Sequence, residues 1–462
     1  MRDTFAIDVH NNRGFDVALS TLWESEMKRV CIVGGGPAGL GAANMFRKSG
    51  VDFQLLDEGP PLDVRQHDCA DHLGTGIGGA GLFSDGKFSY YPSGTSLYTL
   101  SPPSRLKAAY SETIIVLREA GIEAPEFPVR SFDCGNPDVG VVHKAYPSQS
   151  ATLAQRRKLT SALANQYQVG RIRPLSRVEG IKRAANGYVV TYRDRPSDRT
   201  ISATFTDVVL ATGRFGGLSL KRLWNSPSLV TEQQRYELGI RIEHPNGVGF
   251  LSKIKDNDVK LLINTSSAPV RTFCTCRHGE VWNIRYDAMS ALSGRSDGPP
   301  TDYSNFGLLP RFAGDQAHRG RKIWEHFIHT FGKARQALWQ PLRGFMDGTS
   351  MELTRVNLAN RPWYPRETFV PGDIGGIIHP ELKRILSDSI YALLRQYPDI
   401  DCTDAVCLFP AIEGVGCFPS TTQELRTRSD GVWCCGDLVG KFRGLVPALV
   451  SGHYVGLAIG NE

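Results

Sequence analysis

Short apolar runs alternate along this chain with stretches in which apolar positions recur every three to four residues. That alternation predicts an α/β fold. Cys31-Ile32-Val33 and residues 51–56 read as buried strands, separated by a helix of small residues that begins near Pro37. Residues 207–210 and 432–435 are two further runs of the same kind, far down the chain. Helical spacing covers residues 106–120, 151–168, 323–338, 380–397 and 445–459. Residues 171–178, 187–193 and 201–210 alternate as three short strands, with an Asn186-Gly187 turn before the second, and predict a small meander. Residues 239–242 and 259–262 read as strands, residues 270–275 and 280–283 as a further pair, and residues 293–303 as a loop.

The first strand runs directly into Gly34, Gly36 and Gly39, in G-x-G-x-x-G spacing, with Pro37 and Ala38 opening the helix. This is the turn that a dinucleotide diphosphate needs. The first glycine permits the tight bend, the second lets backbone approach phosphate, and the third lets helix pack on strand. The helix start adds unpaired N–H groups and a positive dipole end. An acid, Asp57, ends the second strand 23 residues beyond Gly34. That is the separation expected of a ligand for a ribose hydroxyl. Glu58 is the neighbouring option, since strand alternation lets only one of the two face the ribose.

Two further segments favour FAD over NAD. Residues 74–87 form a glycine-rich run that brings backbone close to a large flat ligand. Within it Gly78, Gly79, Ala80 and Ser84 are placed against the cofactor, and Lys87 closes the loop. Near the C-terminus a strand ends in Gly436-Asp437, followed by a loop and the apolar helix that Gly444 and Leu445 open. The acid suits the ribityl chain or a phosphate-linked hydroxyl, and the helix start suits negative charge developing on a reduced flavin.

Together with Ala211-Thr212-Gly213 at the end of its strand, these segments resemble the glutathione-reductase-type FAD fold. More narrowly, the chain resembles an uncharacterised FAD-dependent dehydrogenase family of NAD(P)/FAD-dependent oxidoreductases. The matching stretches are Gly76 to Lys87, Thr272-Phe273-Cys274-Thr275-Cys276, Gly239 to Pro245, and Gly436 to Gly444. The resemblance spans residue 31 to about 455 and implies an FAD enzyme without fixing its substrate.

A chain of 462 residues exceeds the size at which one core keeps growing, so two domains are expected. Residues 1–28 read as an N-terminal extension. Residues 29–213 read as an FAD-binding Rossmann-like domain with a small cap near 96–150. Residues 214–405 read as an inserted mixed α+β substrate domain, and residues 406–462 as the return to the FAD domain. The charge is only weakly basic, at +6, and no basic arm carries interleaved aromatics, which argues against a nucleic-acid partner. No apolar run reaches the length of a membrane span, and the first 28 residues lack a signal-peptide core. Ten cysteines in so long a chain suit a reducing cytoplasm. Oligomeric state is left open by the sequence.

The expected chemistry is hydride transfer from a small polar or carboxylated molecule to flavin N5, with a nearby base taking the accompanying proton. Glu413, an acid amid apolar residues, is the candidate base. Lys87 is a candidate for stabilising reduced flavin, and Arg443 for holding a substrate carboxylate. Arg241, Arg271 and Arg277 are further candidates for an anionic pocket. Cys274 and Cys276 read as strand residues lining the pocket, His453 as a satisfied helical histidine, and no metal is expected. No second dinucleotide fingerprint lies between 150 and 330. The electron acceptor is therefore open among O₂, a quinone, a carrier protein and transiently bound NAD(P). A monooxygenase or reductase using externally supplied electrons is the rival enzyme, and a flavin-binding scaffold or redox sensor the non-enzyme rival.

Overall fold

Parallel sheets are covered on both faces, so their strands are short continuous apolar runs. Four such runs and a two-residue edge strand pair in parallel here, in the order Val432–Cys434, Asp207–Leu210, Arg29–Val33, Asp52–Leu56, Ile172–Arg173. The computed structural model describes residues 28–129, 140–164, 170–224, 233–265, 267–286, 289–348 and 356–461. All but the last residue of the expected N-terminal extension lies outside them.

Helix Leu445–Gly460 is buried along nearly its whole length and packs between helices Pro37–Ser49 and Pro103–Glu119. Glycine makes this crossing possible. A Cβ on Gly452 would lie 2.0 Å from the Ala38 carbonyl oxygen. The next residue, His453, is fully buried and satisfied on both ring nitrogens, by Thr113 Oγ1 at 2.8 Å and Asn44 Nδ2 at 3.2 Å. The segment expected to form a separate cap is thus split. Its helix joins the first core, and its strand Gly140–His143 joins a second sheet.

That second sheet has nine strands and is mixed. At its centre Gln233–Pro245 runs antiparallel to both Tyr303–Pro310 and Val406–Phe418. Along the central strand Tyr236, Leu238, Ile240 and Ile242 enter a core shared with helices Ala317–Thr330 and Pro380–Gln396. By strand alternation Arg235, Glu237, Arg241 and Glu243 take the opposite face.

Several expected boundaries move. Val406–Phe418 is a central strand of the second sheet, so the chain rejoins the parallel sheet only at Val432–Cys434 and not at 406. Pairing along most of Gln233–Pro245 outweighs any local tie to the first sheet. The expected first and third meander strands each divide. Ile172–Arg173 and Asp207–Leu210 join the parallel sheet, while the meander itself runs through Ser176–Ala184, Gly187–Asp194 and Arg199–Phe205. Residues 323–338 are not one helix, since the helix ends at Thr330 and a strand begins at Ala337. Residues 270–275 and 280–283 are strands but do not pair. The first sits between Leu261–Asn264 and Tyr303–Pro310, and the second pairs with Met289–Arg295.

Burial lowers the His453 pKa to about 3, against an ordinary 6.5. Below pH 6.5 the unfolded chain takes up a proton that the folded protein refuses. His453 therefore removes stability as pH falls from 6.5 toward 3, with a limiting slope of about 1.4 kcal/mol per pH unit. Urea unfolding of wild type and His453→Gln at pH 7 and pH 5 should show a steeper acid loss in wild type. Equal losses in the two proteins would contradict the assignment.

Candidate functional site

The carboxyl ends of the parallel strands open into a cavity of about 1070 Å³. This lies just above the usual range for small-molecule sites, about 300–1,000 Å³. All of the residues expected to bind cofactor line it except Gly39 and Gly78.

Close backbone packing builds one end. Gly34 has φ +109°, and a Cβ there would sit 2.5 Å from the Ala211 carbonyl oxygen. A Cβ on Gly39 would sit 1.9 Å from the Gly34 oxygen. Helix Pro37–Ser49 begins with no side-chain cap, which leaves its first N–H groups open toward the cavity. The glycine-rich run docks on this turn through Gly78 N to Gly35 O at 2.8 Å.

Two buried arginines that carry no sequence signature hold that run in place. Arg65 donates to the carbonyls of Ile77 at 2.8 Å and Gly79 at 3.0 Å. Arg156 donates to Leu82 and Ser84 at 2.7 Å each and pairs with Asp297. Ser84 itself is tied to its own loop, donating to Gly81 O at 2.9 Å.

Asp57 is used by the turn. Its carboxylate accepts from Gly35 N at 2.6 Å and from Gly59 N at 2.9 Å. Glu58 lies on the cavity wall, 3.7 Å from Arg177. Across the cavity, burial raises the Asp437 carboxyl above its ordinary pKa, with Arg443 and Arg214 opposing.

The other end is the charged face of the second sheet. Glu237 is fully buried, with Arg271 Nη2 at 3.1 Å, Arg443 Nη1 at 3.2 Å, Arg235 Nε at 3.7 Å and Arg311 Nε at 3.9 Å. Glu413 pairs with Arg271 and lies 3.4 Å from Arg443. Glu413 reaches this face through a β-bulge. Glu237 pairs with Gly414 and Leu238 with Ile412, so Glu413 is the extra residue between them. Bulges re-aim side chains in this way. Burial opposes the Glu237 charge, but the surrounding guanidiniums outweigh it and hold its carboxyl far below the usual range.

The other candidates divide. Arg271 lines the cavity, whereas Arg241 is spent on Asn305 Oδ1 and Cys274 O, and Arg277 on the carbonyls of Leu251, Ile254 and Asp256. Lys87 donates to Thr275 O and sits 3.4 Å from Asp85 and 3.9 Å from Asp258. Burial works against its charge, but Asp85, Cys276 and Asp258 prevail and hold its pKa above the ordinary value. Cys274 has φ +44° at a register shift, so the two cysteines do not simply alternate. Asp85, Cys274 and Cys276 nevertheless converge, and the Lys87 ammonium supplies positive charge there. His326 bonds the Ile377 carbonyl at 2.9 Å, and His329 is exposed.

One cavity residue stands outside the sequence expectations. Lys260 precedes strand Leu261–Asn264, and its backbone carbonyl accepts from Lys144 at 2.8 Å. Its ammonium makes no hydrogen bond or ion pair among the described residues. Burial, with Arg271 and Lys144 adding repulsion, pushes it down to about 7, while Glu413 and Asp258 pull the other way.

No protein-family model matches the chain, and no curated protein matches it. Among solved structures the chain is similar to CtdE in complex with FAD, at 12% identity over 94% of this chain and 85% of that one, TM-score 0.38. It is similar to 2,6-dihydroxypyridine-3-hydroxylase from Arthrobacter nicotinovorans, at 12% identity over 94% and 83%, TM-score 0.39. It is also similar to the tetracycline destructase Tet(51), at 10% identity over 94% and 82%, TM-score 0.35. Likeness at this level extends to neither substrate nor reaction.

Removing the Glu237 charge strands several guanidiniums in a buried site. Glu237→Gln should cost about 3–5 kcal/mol of stability. Chemical denaturation checks this, and a loss below about 1 kcal/mol would show that the cluster is not held together by this carboxylate.

Proposed function

We propose that the cavity holds FAD and that the protein is an FAD-dependent oxidoreductase acting on a small polar or carboxylated organic molecule. The observation behind this reading is the continuity of one cavity, from a backbone-lined glycine turn to a charged sheet face. The fit is local as well. Gly36 and Gly79 present bare backbone, and the open amides at the start of helix Pro37–Ser49 suit a diphosphate. Glu58 takes the ribose hydroxyls, because Asp57 is committed to Gly35 and Gly59. Asp437 suits a hydroxyl of the ribityl chain. When bound, the cofactor supplies a two-electron acceptor for a substrate C–H bond.

The chain's own residues do the rest. The second sheet carries substrate recognition on its charged face. Lys87, clamped by Asp85 and Asp258, fixes the loop that covers the cofactor. Glu413 is held between two guanidiniums, with its carboxylate oxygens turned to Arg271 and Arg443. The proton that leaves a substrate hydroxyl or amine goes instead to the Lys260 amine. A base works best with its pKa near the operating pH, and Lys260 lies there. Glu413 then acts by positioning Arg271 and Arg443.

Anaerobic incubation of purified holoprotein with fractionated metabolite extract tests the reaction. Loss of the oxidised flavin band with consumption of one compound is expected. NAD(P)H consumption that depends on added substrate and O₂ would overturn dehydrogenation. With a substrate in hand, the reduction rate should rise as pH passes through about 7 and then level. Lys260→Met should lower the plateau by roughly 10²-fold or more and abolish that limb. A variant with an unchanged pH profile would remove Lys260 from the mechanism.

A further inference from the structure

Three arginines on the cavity wall carry more donors than the protein satisfies. Nε and Nη2 of Arg235, Nε of Arg271, and all three guanidinium nitrogens of Arg443 are buried without a hydrogen-bond partner among the described residues. Arg235 is only 6% exposed. The Arg443–Glu237 contact at 3.2 Å lacks hydrogen-bond alignment and is Coulombic alone. Buried donors without acceptors are costly, and natural proteins seldom keep them without a use.

The charges are also unequal. With Arg214 and Asp437 included, four guanidiniums face three carboxylates, Glu237, Glu413 and Asp437, which leaves a surplus of one positive charge. Arg311 stands half-exposed at the rim. The fold makes specific room for this arrangement. A Cβ on Gly414 would meet Arg443 Nη2 at 1.6 Å, so the guanidinium lies directly over bare backbone at that position.

We propose that Arg271, Arg443 and Arg235 form a clamp for one carboxylate group of the substrate. Planar guanidiniums match a carboxylate with paired N–H donors, which a lysine cannot do. A single carboxylate balances the surplus charge. A phosphate dianion would overshoot it beside these acids. The clamp deepens the proposed function and rests on it for the reaction, but its binding can be tested separately.

The experiment is calorimetric titration of the purified holoprotein with propionate, lactate, succinate and benzoate, each against its amide, with FAD content assayed independently. At least one acid should bind at least about 10-fold more tightly than its amide. Arg271→Met and Arg443→Met should each weaken that acid by about 10- to 100-fold at unchanged FAD content. Arg443→Lys, which keeps charge but loses the fork, should recover only part of the loss. The double variant R271M/E413Q restores charge balance and serves where R271M alone misfolds. Flavin-loaded protein that binds no acid more tightly than its amide would overturn the clamp, as would acid binding undiminished in both methionine variants. Colourless protein would overturn the FAD reading instead, and the acid-against-amide comparison would still decide the clamp.

Discussion

The structure depends on the absence of side chains where separate stretches of backbone meet. Gly34 touches the chain at Ala211, Gly39 touches Gly34, and Gly36 faces Gly79. These contacts join pieces of chain far apart in sequence into one wall. A single Cβ at Gly34 or Gly39 would force backbone apart and move the parallel strand from the helix it feeds. Asp57, Arg65 and Arg156 then fix the loops by binding their amides and carbonyls. Polar side chains are here the scaffold of a backbone surface.

The second sheet solves a different problem. One face of its central strand is core, and the other carries buried charge, with Arg235 and Glu237 reaching the cavity wall. Isolated charges there would be prohibitive. They persist because Glu237 and Glu413 are interleaved with arginines. The interleaving leaves a surplus of one positive charge, which the proposed substrate carboxylate would balance. Burial, with the neighbouring positive charges of Arg271 and Lys144 adding to it, leaves Lys260 a poor ammonium.

Much of the first sheet was legible in the sequence, because short apolar runs and a spaced glycine turn are local signals. The cavity-lining residues near Gly34, Gly79, Ala211 and Gly436 followed from them. The charged face was legible only in part, since Arg443, Arg271 and Glu413 stood out as candidates but Arg235 and Glu237 did not. Arg235, Glu237, Arg241 and Glu243 alternate with apolar residues, and that pattern ordinarily marks a solvated strand face. Only tertiary packing turns it inward. Glu413 stood out as an acid among apolar residues, but its partners depend on a bulge that no local signal encodes. The placement of residues 406–418 failed for a similar reason, since they pair with a strand far earlier in the chain, residues 233–243. Arg65 and Arg156 were missed because an arginine's burial is decided by carbonyls contributed from other segments.

Gly36 offers the most direct test of the central claim that bare backbone here receives a cofactor diphosphate. Its φ is −74°, and a Cβ built on it meets nothing nearer than 3.8 Å. The fold itself therefore has room for a Cβ there, while a bound diphosphate would leave none. The measurement is flavin content per chain in purified wild type and Gly36→Val, with thermal unfolding of both after flavin removal. The account predicts one FAD per wild-type chain, none in the variant, and matching unfolding of the two apoproteins. A folded variant that retains FAD as wild type does would contradict it.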